Sequence, residues 1–480
     1  MPLKKHGGES AVVAGLDVLR KSEPEIYEML SRQEPLLRGF EAYHAGILDE
    51  LGVMDPVVYQ LIEKEYQRLN STIQLIAAEN QCSRAVLGAL GSIVQNKTTE
   101  GFPGMRFHGG CEIVDCLEEL AAERAAKAFG ARYVNVQPHS GTQANQIVMT
   151  AFLENGDRIL SLAMDQGGHV SHGVAVSFSG KFFETENYCV NPQTHLLDYE
   201  EIRRQARAFK PKMIICGASA YSRTIDFAKF RLIADEVGAY LLADISHLAS
   251  LIMAGEHPSP VNQAHFTTTS TYKPGGPRGG IIVLGEDFNE SVEVEGVKRA
   301  LWKHIDKATF PGVQGTPNLN NIAAKAVFFR EVLSEEYQNR QKRIILNAKR
   351  LASKLLEKGY EVLTGGTDNH MVMVNIANYR PGLTGVIAQR CLEECGIIVN
   401  MNKLPYDTRP PAITSGMRLG TPIVTKNGMG TAEMDLICDL IDEVICDVGI
   451  VSEKEYRLDS RKRSDMKLRT AQLGSRFRCC

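Results

Sequence analysis

Lys273 stands where an amine could be offered for covalent chemistry. It lies between the small hydroxyl residues of Thr268-Thr269-Ser270-Thr271-Tyr272 and the turn Pro274-Gly275-Gly276-Pro277-Arg278-Gly279-Gly280, with apolar Ile281-Ile282-Val283-Leu284 following. A lysine at a strand end, beside glycines that let backbone approach closely, is how a protein presents an amine to an aldehyde cofactor. A surface hairpin with an incidental lysine also fits this segment alone. Upstream, Ala243-Asp244-Ile245-Ser246-His247 sets a carboxylate at the C-terminal end of an apolar strand, the edge where open α/β sheets bind ligands. A buried aspartate is costly without a cation, and a protonated pyridine nitrogen would be one; an aspartate capping the next helix is the alternative. His247 could hydrogen-bond a cofactor oxygen or sit as a satisfied core histidine.

Farther upstream, Pro138-His139-Ser140-Gly141-Thr142-Gln143-Ala144-Asn145 falls between a strand and a helix. Free N–H groups and the helix dipole there favour a phosphate, while Ser140 or Thr142 could equally serve as a plain cap. Gly167-Gly168-His169 and the glycine-rich stretch 96–110, which holds Glu100 and His108, add ring-stacking and acid–base candidates. Phosphate cup, aspartate and lysine on successive strand ends is the order of a pyridoxal-phosphate site.

The elements that must position these residues follow from periodicity. Helices are predicted at 113–129, 143–154, 199–209 and 227–237, and strands at 133–137, 158–162, 182–186, 213–216, 240–243, 266–269 and 281–284. That alternation implies a mostly parallel α/β sheet covered on both faces. The stretch 169–177 shows no period. Helical patterns at 24–33 and 36–51 precede a helix opened by Asp55-Pro56. A long helical stretch at 318–358 leads to an α+β segment with strands at 361–363, 371–375 and 397–400 and helices at 383–394 and 432–447. The expected division is a helical arm (1–70), a large α/β domain (71–330), an α+β domain (331–452) and a basic, solvated tail (453–480).

Composition excludes several classes. The chain of 480 residues is 44% hydrophobic and 23% charged with net charge -3, an ordinary globular mix too near neutral for a nucleic-acid or membrane surface. No apolar run reaches membrane length, and residues 1–9 lack the apolar core of a secretory signal. Eleven cysteines without paired spacing fit the reduced thiols of a cytoplasmic enzyme. No metal is expected.

From about residue 55 to 450 the chain resembles the serine hydroxymethyltransferase family of fold-type I pyridoxal-phosphate enzymes. The resemblance rests on 77–80, 100–110, 137–145, 167–173, 217–227, 244–247, 268–280, 310–315 and two highly specific runs, Thr364-Gly365-Gly366-Thr367-Asp368-Asn369-His370 and Thr414-Ser415-Gly416-Met417-Arg418-Leu419-Gly420-Thr421-Pro422. It implies a large domain with a mostly parallel seven-stranded sheet, a smaller α+β C-terminal domain, pyridoxal 5'-phosphate as cofactor, and exchange of a one-carbon unit between serine and tetrahydrofolate. By this resemblance Lys273 forms the Schiff base, Asp244 pairs with the pyridine nitrogen, His169 stacks on the ring, Ser219 and His247 bond its substituents, and Ser140, Gly141 and Thr142 hold the phosphate. Arg418 clamps the amino-acid carboxylate next to Ala78, and Glu100 moves a proton as the hydroxymethyl group leaves. Met164, Gly168, Val170 and Asn402 stand at folate-contact positions. Glu100 and Gly315 reach the neighbouring subunit's site, so a homodimer or tetramer with shared sites is implied.

Departures from the family cluster in the same place. Tyr272 replaces histidine before the lysine, and the turn after Lys273 is one residue shorter. Phe107 and His108 replace paired tyrosines, and Thr98, Thr316 and Ala78 stand for tyrosine, glycine and serine. They leave open a folate-independent relative that cleaves β-hydroxy amino acids as a threonine aldolase or transaldolase. A cofactor-binding protein without turnover is a third reading, against which the retained Lys273, Asp244, Glu100 and Arg418 argue.

Overall fold

The computed structural model describes residues 46–477, together with Arg20, Lys21 and Pro24. The helix expected at 24–33 and most of that at 36–51 lie outside the described residues.

Seven strands form the main sheet: β1 (Tyr133–Asn135), β2 (Arg158–Leu162), β3 (Glu184–Tyr188), β4 (Met213–Cys216), β5 (Tyr240–Asp244), β6 (Phe266–Ser270) and β7 (Gly280–Leu284). Their order is β1-β7-β6-β5-β4-β2-β3. Neighbours from β2 to β6 pair in parallel, and β7 alone runs against both β1 and β6. β4 and β7 are buried at every position, which is why they read as unbroken apolar runs: both faces of the sheet are covered by helices. One consequence governs function. The chain leaves β1, β2, β4, β5 and β6 at the same edge, so the loops after them converge.

α1 (Pro56–Ser71) precedes this domain, and α2 (Glu112–Phe129) and α3 (Gly141–Phe152) lie within it. Ser140 caps α3 by accepting from the Gln143 amide at 3.1 Å. The helical stretch expected at 318–358 divides into α4 (Leu319–Val332) and α5 (Glu335–Glu357). Ser334 causes the break, because its hydroxyl accepts from the Tyr337 amide at 3.2 Å and starts a new helix.

A second, antiparallel sheet holds β8 (Glu361–Val362), β9 (Met371–Asn375), β10 (Asn400–Asn402) and β11 (Gly416–Gly420) in the order β8-β9-β11-β10. Its core includes Val372, Val374, Met417 and Leu419, and it also takes in Ile73 and Leu75. Ile73–Gln74 pairs in parallel with Ile397–Ile398, so residues read as the start of the large domain pack into the smaller one. Nothing local in five residues announces which sheet they join.

The span 453–480, expected as a solvated basic tail, instead carries α6 (Ser460–Arg476). Met466 and Leu473 are buried in the small-domain core. Three of its six basic residues meet carboxylates: Arg463 with Glu394 at 3.2 Å, Arg469 with Glu443 at 2.9 Å, and Lys462 with Asp447. The apolar positions are few but fall at helical spacing, and half of the helix's basic residues have acidic partners. α1 buries none of its residues and leaves Val57, Leu61, Ile62 and Tyr66 exposed. Among the described residues no helix is long and apolar enough to cross a membrane.

Truncating a side chain buried under α6 therefore costs core packing. Met466→Ala should lower unfolding free energy by about 2–5 kcal/mol, read as a lower urea midpoint. An unchanged midpoint would mean that α6 does not contribute to the folded core.

Candidate active site

The sheet edge gathers its polar residues around one carboxylate. Asp244, at the end of β5, accepts from the Ser246 amide at 3.0 Å and hydroxyl at 2.6 Å through Oδ1. Its Oδ2 accepts from Asn145 Nδ2 at 2.8 Å and meets His172 Nε2 at 3.0 Å. Each partner comes from a different loop or helix start: Asn145 lies on the first turns of α3, and His172 follows β2. Thr268 on β6 orients Asn145 by donating its hydroxyl to the amide oxygen at 2.5 Å. The Ser270 amide donates to Ser246 Oγ at 3.0 Å, and Lys273 Nζ donates to Ser270 Oγ at 3.4 Å. Lys273 and Asp244 thus belong to one continuous network.

Burial alone would raise the Asp244 carboxyl, but hydrogen bonding and charge from His172, with His169 and Ser246, hold it far below the usual carboxylate range. His169 Nδ1 lies 2.8 Å from Ser171 Oγ, and burial pushes its imidazole down to about 4, leaving a flat uncharged ring. His172 and Asn145 were not singled out from sequence. The available signal was spacing: His172 follows His169 by three residues, and Asn145 lies one helical turn after Gly141. Ligand atoms of His169, His172 and Asp244 all lie within 4.8 Å, a spacing a metal could use. Both Asp244 oxygens and His169 Nδ1 are already committed to protein groups, so the cluster reads as an organic-cation anchor.

Arg418 arrives from the other domain. On β11 it is half-buried, its Nε donates to Asn400 Oδ1 at 3.1 Å, and its Nη1 donates to the Ser219 carbonyl. Among the described residues no carboxylate pairs with it. Burial pushes Arg418 down to about 10. A guanidinium held this way, with N–H groups to spare, is a receptor for an incoming anion. The imidazole of His370 stacks on that of His247 with centroids 5.7 Å apart and planes 10° from parallel. His370 Nε2 lies 3.1 Å from the Ala77 carbonyl and fixes the chain just before half-buried Ala78. His247 Nδ1 is buried without a protein partner, as a nitrogen awaiting a ligand group would be.

The shortened lysine loop is braced from outside. Asn80 Nδ2 donates to the Lys273 carbonyl at 3.1 Å, and the Tyr337 hydroxyl donates to that of Pro274 at 3.0 Å. At Gly276 a Cβ would lie 2.7 Å from the Phe328 ring, so only glycine passes. Lys273 Nζ and the Arg278 guanidinium lie 4.9 and 4.1 Å from the Tyr272 ring centre, a cation–π arrangement.

The segment expected to hold a phosphate packs closely at its glycine: a Cβ on Gly141 would sit 3.1 Å from the Ser270 amide. Thr142 is exposed, and Ser140's hydroxyl is engaged in capping α3. Ser219 binds through its backbone, its N–H donating to the Gly167 carbonyl at 2.8 Å. Met164 and Val170 are exposed and Gly168 is buried, all following β2. Lys403 reaches within 4.0 Å of Asp165, bringing this segment beside Asn402. Glu100 and Gly315 adjoin each other, the carboxylate lying 3.4 Å from a Cβ on the glycine. His108 is exposed. Neither Glu100 nor His108 hydrogen-bonds a member of the Lys273 cluster.

A strand-end amine, a buried carboxylate, a helix N-terminus, an unpartnered buried imidazole nitrogen and an uncompensated guanidinium suit an aldehyde cofactor bearing a phosphate and a basic ring nitrogen, with a carboxylate substrate beside it. Comparison with known proteins agrees. The family model described as "Serine hydroxymethyltransferase" matches residues 51–441. A relative from Methanosarcina barkeri named "Serine hydroxymethyltransferase" is 50% identical over 392 residues, covering 82% of this chain and 92% of its own.

The Asp244 network makes a pH prediction. Its folded pKa lies below the unfolded value, so its stabilisation is present above about pH 4 and is lost as pH falls below that. Asp244→Asn should therefore lose less stability than the wild type between about pH 4 and 2. Parallel acid-unfolding curves would contradict the assignment.

Proposed function

Because the chain belongs to the serine hydroxymethyltransferase family, we propose that Lys273, Asp244, Arg418 and the residues bonded to them form its active site. The protein is a pyridoxal-phosphate enzyme that interconverts serine and glycine with tetrahydrofolate as one-carbon carrier. The observation that carries the site assignment is the junction of two domains: a Lys273–Ser270–Ser246–Asp244 network on one side and an unpaired Arg418 on the other.

Pyridoxal phosphate, when bound, supplies an electron sink that lets bonds at the amino acid's Cα break. Lys273 holds it through its amine. Asp244, an anion with almost no solvent around it, would keep a proton on the ring nitrogen, and His172 and Asn145 hold that carboxylate in place. His169 offers a neutral ring for stacking, and His247 offers a free Nδ1 to a ring substituent. Ser140, Gly141 and Thr142 hold the phosphate. Arg418 binds the substrate carboxylate, with Ala78 nearby, and Met164, Gly168, Val170 and Asn402 receive the folate. Glu100 moves the proton at the substrate hydroxyl.

Glu100 and Gly315 lie together, and among the described residues Glu100 hydrogen-bonds no member of the Lys273 cluster, which suits residues serving a second copy's site. We therefore take the enzyme as a homodimer or a tetramer built from it. The exposed apolar side chains of α1 and exposed Phe107 offer a surface for that contact. A cytoplasmic setting agrees with the nine described cysteines, all unpaired. The aldolase or transaldolase reading is not favoured: the relative is named a hydroxymethyltransferase, and His108 stands outside the Lys273 cluster.

Borohydride reduction should fix the cofactor to the peptide carrying Lys273, and serine cleavage should rise sharply when tetrahydrofolate is added. Labelling elsewhere would overturn the site, and indifference to tetrahydrofolate would overturn the folate role. Lysine cannot reproduce the two parallel bonds of a guanidinium. Arg418→Lys should weaken serine and glycine binding by about 2–4 kcal/mol, the scale for disrupting a buried charge pair. Unaltered serine affinity would remove Arg418 from substrate recognition.

A further inference from the structure

One buried cation takes no part in this scheme. Lys325, on α4, is 1% exposed and pairs with no carboxylate among the described residues. Its Nζ lies 2.5 Å from the Val136 carbonyl, 2.9 Å from that of Gly280 and 3.2 Å from that of Pro138. Those carbonyls belong to the chain leaving β1, the first residue of β7 and the loop entering α3. The three segments meet at the cup: a Cβ on Gly280 would lie 2.2 Å from the Ser140 carbonyl and 2.9 Å from the Gly141 amide. Any side chain at Gly279 would displace the lysine, since a Cβ there would sit 2.5 Å from Lys325 Cε.

We propose that Lys325 is a positioning residue of the phosphate cup: its ammonium ties together the backbone segments that shape the cup and sets a positive charge beneath it, so that phosphate binding and Lys325 protonation favour one another. This rests on the reading of Ser140, Gly141 and Thr142 as the phosphate site.

The chemistry of the amine gives the coupling its form. An ammonium has three N–H groups and can serve all three carbonyls, whereas a neutral amine has two and must release one. Burial pushes Lys325 down to about 7, opposed by the charge of Glu118. The charged groups facing it are few. Glu118 on α2 is committed to Arg106 at 2.6 Å and Gln137 at 2.7 Å. Arg124, also on α2, donates to the Ala326 carbonyl at 3.0 Å. Arg84, on the helix Arg84–Leu90 packed against α4, is exposed. His139, on the cup loop, is held below its ordinary value by burial and by the Lys325 charge. None supplies a counter-ion, and an anion in the cup would. By linkage, phosphate that favours the ammonium must bind less well once the proton is gone.

The test is calorimetric titration of inorganic phosphate into the cofactor-free full-length protein. It is run near pH 8.5, between the folded Lys325 value and the ordinary lysine range, in two buffers of different ionisation enthalpy. The wild type should take up close to one proton per phosphate bound. Lys325→Met, and Lys325→Gln, which keeps two donors without charge, should take up none and bind phosphate about ten-fold more weakly, ~1.4 kcal/mol. A second reading uses the holoenzyme, which should lose cofactor faster at neutral pH in either variant than in the wild type. Proton uptake persisting in the variants, or phosphate binding in the wild type without uptake, would overturn the Lys325 proposal and leave the cup standing. Failure of the cofactor to displace bound phosphate would overturn the cup reading and the proposal together. The wild-type measurement decides even if both variants fold poorly.

Discussion

Asp244 keeps a negative charge where there is almost no water, and the architecture around it follows from that demand. An isolated carboxylate there would take up a proton. It stays ionised because Ser246, Asn145 and His172 supply donors to both oxygens. Those donors lie far apart in sequence, and only a parallel sheet delivers so many loops to one edge. The strand order, the cap on α3 and the turn after β2 therefore serve a single electrostatic end.

The second domain completes the charge pattern. β11 carries Arg418 to the Ser219 carbonyl without an acidic neighbour, and His370 carries the small domain onto His247 and Ala77. Among the described residues, the cations Lys273, Arg278, Arg418 and Lys325 outnumber Asp244, the carboxylate of this network. Such a charge balance suits a site that receives anions, the role proposed for it above. A guanidinium without a carboxylate partner among the described residues is costly in the protein alone, and a bound carboxylate would offset that cost.

The residues around Lys273 show how a short loop is held in place. Carbonyls of Lys273, Pro274 and Pro277 are each met by a side chain, from Asn80, Tyr337 and Thr271. Tyr272 gives its ring face to both Lys273 and Arg278. The turn is held by partners from outside itself, which is why its own sequence can depart from the family pattern.

By itself the sequence determined the α/β class and the family, and it placed Asp244 and Lys273 on strand ends, because each is written in short runs: strand-end motifs of a few residues and apolar runs of strand length. It also marked Arg418 within a run specific to the family. Tertiary structure alone decided that His172 and Asn145 hold Asp244, that Lys325 meets the carbonyls of Val136, Pro138 and Gly280, that Ile73 and Leu75 join the smaller core, and that 460–476 is a packed helix. These depend on which strands pair and which faces meet between residues distant in sequence, 72 and 99 positions apart for His172 and Asn145 with Asp244. A pattern three to eight residues long records that a side chain is buried or charged; only the folded chain brings the partner that makes the burial tolerable.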